Sequence, residues 1–444
     1  MTTQTTATRT TAGSPPALAE VAPDLIAELD GFSSAPDPYP IYARWRENWP
    51  VSQMFGAVNL LRYADVEAVM RHPRVSADDR NARAHQEQVA QQRLAPQYLS
   101  QMDERSFLHR DPPDHTRLRR LVTRAFTPQR MEALRPDIQA FVDAALDTAA
   151  GEGWIELVDA LAYPLPIAII SRLIGIPAED REIVESLQRA QLCCTFEPAS
   201  VFAVKDGDGD GETSTAQVEA NRIQQQLGQY FDGMIEQRRQ QPGSDLVSAL
   251  IAAEEQGERL SHDEINATLR LLFVAGYETT VNLLGNGVLA LLRHPDQLAA
   301  LRQNAALAAA TVDEALRYDA PFQFTRRIAL ADLDIGGYRI GAGTTILLWL
   351  AAADRDPAQF SEPDRFNITR SDNRHLAFGT GIHACLGGPL ARLQGEIVFE
   401  TLARRLVDPA LETDPPAYLC DVFRALQALP ISFHAVRPID SRAS

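Results

Sequence analysis

The chain has 444 residues, 45% hydrophobic and 23% charged, an ordinary globular composition that excludes wholesale disorder, collagen-like repetition and a disulfide-stapled miniprotein. Against 42 Lys and Arg stand 59 Asp and Glu, a formal net charge of −17, which repels phosphate backbones over most of the surface and argues against a nucleic-acid partner. Four cysteines, Cys193, Cys194, Cys385 and Cys420, form neither a CxxC pair nor a Cys/His ladder, so neither a structural zinc site nor a disulfide framework is expected.

Residues 1–22 are Thr-rich and Pro-bearing with no apolar signal core, and no uncharged apolar run reaches the roughly 18 residues of a membrane span. The pattern predicts a disordered N-terminal tail, then a single large domain over residues 23–444, in a cytoplasmic protein that makes no use of a membrane. Residues 117–135 read as helix interrupted at Thr127-Pro128, and carry six arginines against one acid, Glu132. That asymmetry marks either a solvated face or a docking surface for something anionic. Residues 205–214, KDGDGDGETS, form a polar Gly-rich loop. It imitates a calcium loop with Asp206, Asp208, Asp210 and Gly211 at positions one, three, five and six, but position twelve is Gln217, which supplies no bidentate carboxylate.

From Ser261 a capping box with Glu264 opens an apolar helical pattern that runs without proline to His294-Pro295. One helix over 261–293 is expected, roughly 50 Å long at about 1.5 Å per residue and therefore crossing the interior. Its middle sets Gly276, Glu278 and Thr279 among apolar neighbours, where a carboxylate is costly unless paired or used. After a helix ending near Tyr318, residues 328–351 switch to strand patterning, with Gly336-Gly337 as a hairpin turn between 333–335 and 338–340. No internal repeat and no βαβ alternation occurs, so the fold class is mainly α with minor antiparallel β.

Near the C-terminus a Gly-rich loop, Phe378-Gly-Thr-Gly-Ile-His-Ala-Cys385-Leu-Gly-Gly, delivers one cysteine to the start of a helix, where amides and the helix dipole stabilise a thiolate. Gly379, Gly381 and Ala384 also satisfy the dinucleotide pattern GxGxxA, but no βαβ unit surrounds them. Phe378, Gly379, Gly381, His383, Cys385 and Gly387 match FGxGxHxCxG position by position, and on these residues the chain resembles the cytochrome P450 family, of the soluble bacterial type. Two further segments extend the resemblance: Glu314-Ala-Leu-Arg317 is similar to the family's ExxR, and Ala275-Gly-Tyr-Glu278-Thr279-Thr280 to its AGxETT.

The resemblance implies the mostly helical cytochrome P450 fold with a small β-rich lobe, built from the N-terminal third and residues 328–351. It implies haem b (iron protoporphyrin IX) with Cys385 as the axial ligand of the iron, and insertion of one oxygen atom of dioxygen into R–H with two electrons and two protons. By the same resemblance His115, Arg119, Arg327 and His383 hold the haem propionates, with Phe378, Ala275 and Gly276 also against the cofactor. Glu278 relays protons, Thr279 holds oxygen and a water, and Gly276 leaves room for them. The Glu314–Arg317 pair is structural, completed by Arg365 of Pro363-Asp-Arg-Phe366.

No flavin domain, nicotinamide domain or iron–sulfur cysteine set occurs, so electrons must come from outside; the resemblance implies a ferredoxin and a ferredoxin reductase, and gives the arginines of 117–135 an acidic partner. Two other readings stand beside this one: a haem sensor without turnover, which needs no acid–threonine pair, and a peroxide-driven enzyme, in which that pair is replaced. By family position Leu272, Phe322, Phe324, Val422 and Phe423 line the substrate pocket, together with the loops 89–102 and 196–204. Those named are apolar or aromatic, which favours a hydrophobic small molecule.

Overall fold

The computed structural model describes residues 18–20, 35–54, 56–90, 106–181, 183–184, 186–187, 215–255, 257–418 and 423–439. The expectations for residues 1–17, the calcium-like loop 205–214, Cys193, Cys194, Cys420 and Val422 lie outside them.

A six-stranded mixed sheet, four smaller sheets of two or three strands and a set of packed helices make up the architecture of the described residues. The six-stranded sheet comprises β1 (Ala19–Glu20), β2 (Val51–Met54), β3 (Ala57–Leu60), β4 (Val75–Ser76), β5 (Thr325–Ala329) and β8 (Thr345–Leu348), in the order β1-β2-β3-β8-β5-β4. Pairing of β8 with β3 is parallel, Ile346 opposite Val58 and Leu348 opposite Leu60, as is that of β1 with β2; β8 with β5 is antiparallel. The sheet is thus mixed rather than purely antiparallel, because β3 and β8 come from opposite ends of the sequence and need no hairpin between them. Between β5 and β8 lies the expected hairpin, β6 (Leu333–Ile335) with β7 (Tyr338–Ile340), turning on Gly336 and Gly337 at φ of 58° and 86°. Two consecutive residues at positive φ are what a two-residue turn matching the strand twist requires.

The helices that place the site are α1 (Tyr63–Met70), α2 (Asp114–Ala125), α3 (Arg135–Ala149), α4 (Pro164–Ile174), α5 (Thr215–Gln240), α6 (His262–Ala275), α7 (Glu278–Arg293), α8 (Ala308–Tyr318) and α9 (Gly388–Arg405). α7, α8 and α9 pack on one another in the main apolar core. The approach of α9 to α7 is so close that a Cβ on Gly287 would fall 2.2 Å from Cζ of Phe399, so the ring of a wholly buried phenylalanine uses the space a side chain would take.

The single helix expected over 261–293 is two. The capping box is present as read, with Ser261 Oγ accepting from the Glu264 amide and the Glu264 carboxylate from the Ser261 amide. The helix then breaks at Gly276-Tyr277, where Tyr277 sits at φ −104°, ψ −75° and accepts from the Thr280 amide at 2.9 Å. Two hydroxyls bond to carbonyls at the break: Thr279 Oγ1 donates to Ala275 O at 3.0 Å and Thr280 Oγ1 to Gly276 O at 3.3 Å. Apolar periodicity runs straight through this point and therefore hides it.

Candidate active site

The loop carrying Cys385 is folded by its own backbone: the Gly379 amide bonds to Leu376 O at 2.7 Å and the Cys385 amide to Phe378 O at 2.8 Å. Gly381 has φ of 73°, and a Cβ there would lie 2.8 Å from the carbonyl oxygen of Met70 at the end of α1. No other residue fits both demands. Arg119 of α2 donates to Ala384 O, and the Arg392 guanidinium lies 4.7 Å from the centre of the Phe378 ring.

Cys385 is exposed to solvent, yet enough protein surrounds it that burial pushes its thiol up, against the amides of Gly387 and Gly388 and the cations of Arg119 and Arg392, which pull it down. Together these facts describe a sulfur that opens onto an interior space. Two amides and two cations ready for a thiolate, on a thiol that burial keeps protonated, suit ligation to a cation, which displaces the proton outright. Among the described residues no group of three or more His, Cys, Asp or Glu could hold a metal; a sulfur standing alone matches an iron that brings its remaining ligands in a macrocycle.

Beside this loop basic side chains converge. His115, 2% exposed, and His383 lie with ring centroids 4.3 Å apart, and among the described residues none of their four ring nitrogens makes a well-formed hydrogen bond, the Ile382 backbone lying beside His115. Burial, then Arg327, His115, Arg119 and His109, push His383 down to about 3; burial brings Arg327 down to about 10. The neighbouring acids are committed elsewhere, Asp111 to Ser76 Oγ and the Ala77 amide, Asp79 to Arg326. Orphaned donors under mutual repulsion fit an anionic group, and the two propionates of haem are such a group. Sequence reasoning missed His109, whose Nε2 is also buried without a partner; its only signal was its place two residues before Asp111-Pro-Pro-Asp-His115.

At the helix break Ala275 is exposed and Leu272 buried, 8% accessible. A Cβ on Gly276 would fall 2.7 Å from the carbonyl oxygen of Leu272 and 3.3 Å from Cδ1 of Ile170 in α4, so the room this glycine leaves lies against the helix backbone and Ile170. Glu278 has one carboxylate oxygen buried without a partner and the other 3.5 Å from Asn282 Nδ2; burial pushes it up to about 7. That value poises a carboxyl to take and give protons near neutrality. The Thr279 hydroxyl spends its proton on Ala275 O and so keeps its lone pairs for an incoming donor.

Other expected residues divide. Phe322 and Phe423 form an isolated antiparallel β-bridge outside the strands, with rings 5.3 Å apart. Phe324 is a core residue instead: it is 4% exposed, 4.9 Å from Trp349 and grouped with Tyr42 and Trp45. The register explains this, since Thr325 pairs with Leu348 and so brings Phe324 beside Trp349. Glu314 and Arg317 are wholly buried and doubly hydrogen-bonded at 2.8 Å, but the second cation on Glu314 is Arg370, at 3.1 Å, and not Arg365. Arg365 turns its side chain outward to Glu362 and offers Arg317 only its carbonyl. The arginines of 117–135 are largely engaged within the chain: Arg117 with Glu264, Arg120 with Glu258, Arg130 with Ser244 O and Arg135 with Glu132.

Comparison with known proteins agrees with this geometry. Residues 56–418 match the family model of cytochrome P450. The chain is 39% identical to the cytochrome P450 monooxygenase PikC of Streptomyces venezuelae, over 97% of this chain and 98% of that one. It is 37% identical to the polyketide biosynthesis cytochrome P450 PksS of Bacillus subtilis, over 89% and 96%. The ligand-free crystal structure of Mycobacterium smegmatis CYP164A2 superposes with a TM-score of 0.81 at 41% identity, covering 93% of this chain and all of that one. No helix among the described residues is long and apolar enough to cross a membrane.

Proposed function

Since the chain belongs to the cytochrome P450 family and is a haem-thiolate monooxygenase, we propose that it hydroxylates or epoxidises a hydrophobic small molecule in the cytoplasm. A secondary metabolite of the polyketide kind is the substrate class to try first, a choice supported by the likeness to PksS. The observation that carries the reading is the loop of Cys385, with an accessible sulfur backed by two amides and two cations.

In this reading the cofactor would be haem b, its iron held by the Cys385 thiolate and its propionates by His115, Arg119, Arg327 and His383. When bound it supplies reductive activation of dioxygen. The protein's own residues do the rest. Ala275, Leu272, Phe322 and Phe423 present apolar surface to the substrate and exclude bulk water. Thr279, its proton committed to Ala275 O, accepts a hydrogen bond from a water and holds it at the break between α6 and α7. Glu278, poised near neutrality, takes protons from solvent and passes them to that water. Electrons come from a ferredoxin and its reductase, with the basic face of α2 as the docking side.

The test is Cys385→Ser. It should abolish the thiolate signature of the ferrous CO complex and, with it, turnover, while Cys193→Ser, Cys194→Ser and Cys420→Ser leave both unchanged. A variant lacking the Cys385 sulfur that keeps the signature would overturn the reading.

A further inference from the structure

Glu278, Asn282 and Asn286 stand at i, i+4 and i+8 of α7 and share one face of the helix. Asn282 and Asn286 are 3% and 2% exposed, among Val281, Leu283, Leu284 and Val288, surroundings in which an amide is costly unless its polar atoms are met. Asn286 has a structural use: its Nδ2 donates to the Arg424 carbonyl at 2.8 Å, tying the helix to the C-terminal chain. Asn282 is directed the other way, with Nδ2 3.5 Å from Oε1 of Glu278. Among the described residues it is the one polar side chain acting on that carboxyl.

We propose that Asn282 is a positioning residue for Glu278, its amide N–H holding the carboxyl in register on the helix face and favouring its ionised form. The proposal rests on the reading of Glu278 as the proton-handling group. A contact of 3.5 Å is long for a hydrogen bond and suits a carboxyl that is neutral part of the time; it would tighten on ionisation, because a charged acceptor draws its donor in. Among the described residues no other side chain is bonded to this carboxyl. Tyr277, at the head of the helix, stacks edge-on against Tyr163 with centroids 4.9 Å apart. From the packed helices, Glu314 and Arg317 of α8 are paired with each other, and Asp313 of α8 with Arg392 of α9. Neither a cation nor a second carboxylate among the described residues perturbs Glu278.

The experiment titrates the holoenzyme by infrared difference spectroscopy, following the protonated carboxyl band that Glu278→Gln removes. Asn282→Leu keeps the volume and loses the amide, and should move the midpoint up by about half to one pH unit, with the pH profile of product formation moving alongside. Asn286→Leu deletes a buried amide from the same face and should lower the melting temperature while leaving the midpoint in place. An unmoved midpoint in Asn282→Leu, or an equal shift in Asn286→Leu, overturns the proposal. If Asn282→Leu does not fold, Asn282→Asp serves, since a second carboxylate at this distance must raise the midpoint if the two side chains meet, and an unmoved midpoint there overturns it equally. Full coupled turnover in Glu278→Gln would remove the proton-handling role and leave the spectroscopic result standing, so the two failures are distinguishable.

Discussion

His115 and His383 come from positions 268 residues apart in the chain and meet ring to ring, centroids 4.3 Å apart and planes inclined at 51°. Two imidazoles whose nitrogens are buried without a well-formed bond among the described residues are a liability on their own. An anion that bonds to both removes it, so His115→Phe and His383→Phe should each speed haem transfer to a competing apoprotein by about tenfold or more. Transfer at the wild-type rate in both would take the imidazoles out of the propionate site.

Thr279→Ala removes a hydroxyl whose proton is already committed to Ala275 O, and leaves Cys385 and the apolar surface untouched. Substrate binding and reduction should survive. Coupling should not: reductant use continues, hydrogen peroxide appears, and product per electron falls at least about tenfold, within the usual range for losing an acid–base group. A fully coupled single variant would shift attention to Thr280, which bonds to Gly276 O in the same way. Coupling in the double variant would remove both hydroxyls from the mechanism.

Glu278 makes a further prediction about stability. Burial lifts its carboxyl from 4.5 to about 7, so between those values the native state keeps a proton that the unfolded chain gives up. The favourable contribution is complete below pH 4.5 and declines as pH rises to 7, by about 3 kcal/mol in all. Glu278→Gln does not titrate, and its stability relative to the wild type should therefore climb over that window and level off above it. Denaturant titrations at pH 5 and pH 8 decide the matter; a constant difference refutes the raised value.

Arg370, 9% exposed on its side chain, donates to Glu314, to Ser361 O and to Arg365 O, whereas the Arg365 side chain is 58% exposed and reaches only Glu362. Arg370→Ala strips one cation from a buried carboxylate and should cost about 2 to 4 kcal/mol. Arg365→Ala should stay within about 0.5 kcal/mol. The reverse ranking in unfolding experiments would restore the assignment that the sequence favoured.

The proposed docking of an acidic donor on the arginine-bearing face of α2 is tested at Arg120 and Arg124. Reversal of Arg124 to Glu should slow ferredoxin-driven turnover several-fold, and the wild-type rate should fall with added salt as screening grows. CO binding after chemical reduction should not change. Reversal of Arg120 would also break its contact with Glu258; an unaltered rate in both variants places the docking side elsewhere.

What could be read from the sequence was what neighbouring residues determine. The Cys385 loop is coded locally by Phe378, its glycines and the helix that follows. So are the hairpin at Gly336-Gly337 and the capping box at Ser261. What could not be read depends on approach from a distance. Arg365 and Arg370 lie on one loop with similar neighbours, and only the folded backbone decides which of them sends a guanidinium to Glu314. Phe324 looks like a pocket aromatic until the pairing of Thr325 with Leu348 sets it beside Trp349. The break at Gly276-Tyr277 hides within continuous apolar periodicity, because hydroxyl bonds to carbonyls leave no mark in a hydrophobic pattern.

The seat of the Cys385 loop also fixes when in the life of the chain the site can come into being. Gly381 fits against the carbonyl of Met70, 311 residues earlier, and Ala384 takes the guanidinium of Arg119, 265 residues earlier. During synthesis both of these wait, already folded or not, for a segment that emerges among the last. A chain that stalls or is cleaved before residue 385 therefore has no thiol to seat and offers cations with no sulfur opposite them. Cofactor capture therefore waits on synthesis past residue 385, and chains that end before it remain unloaded and more readily degraded.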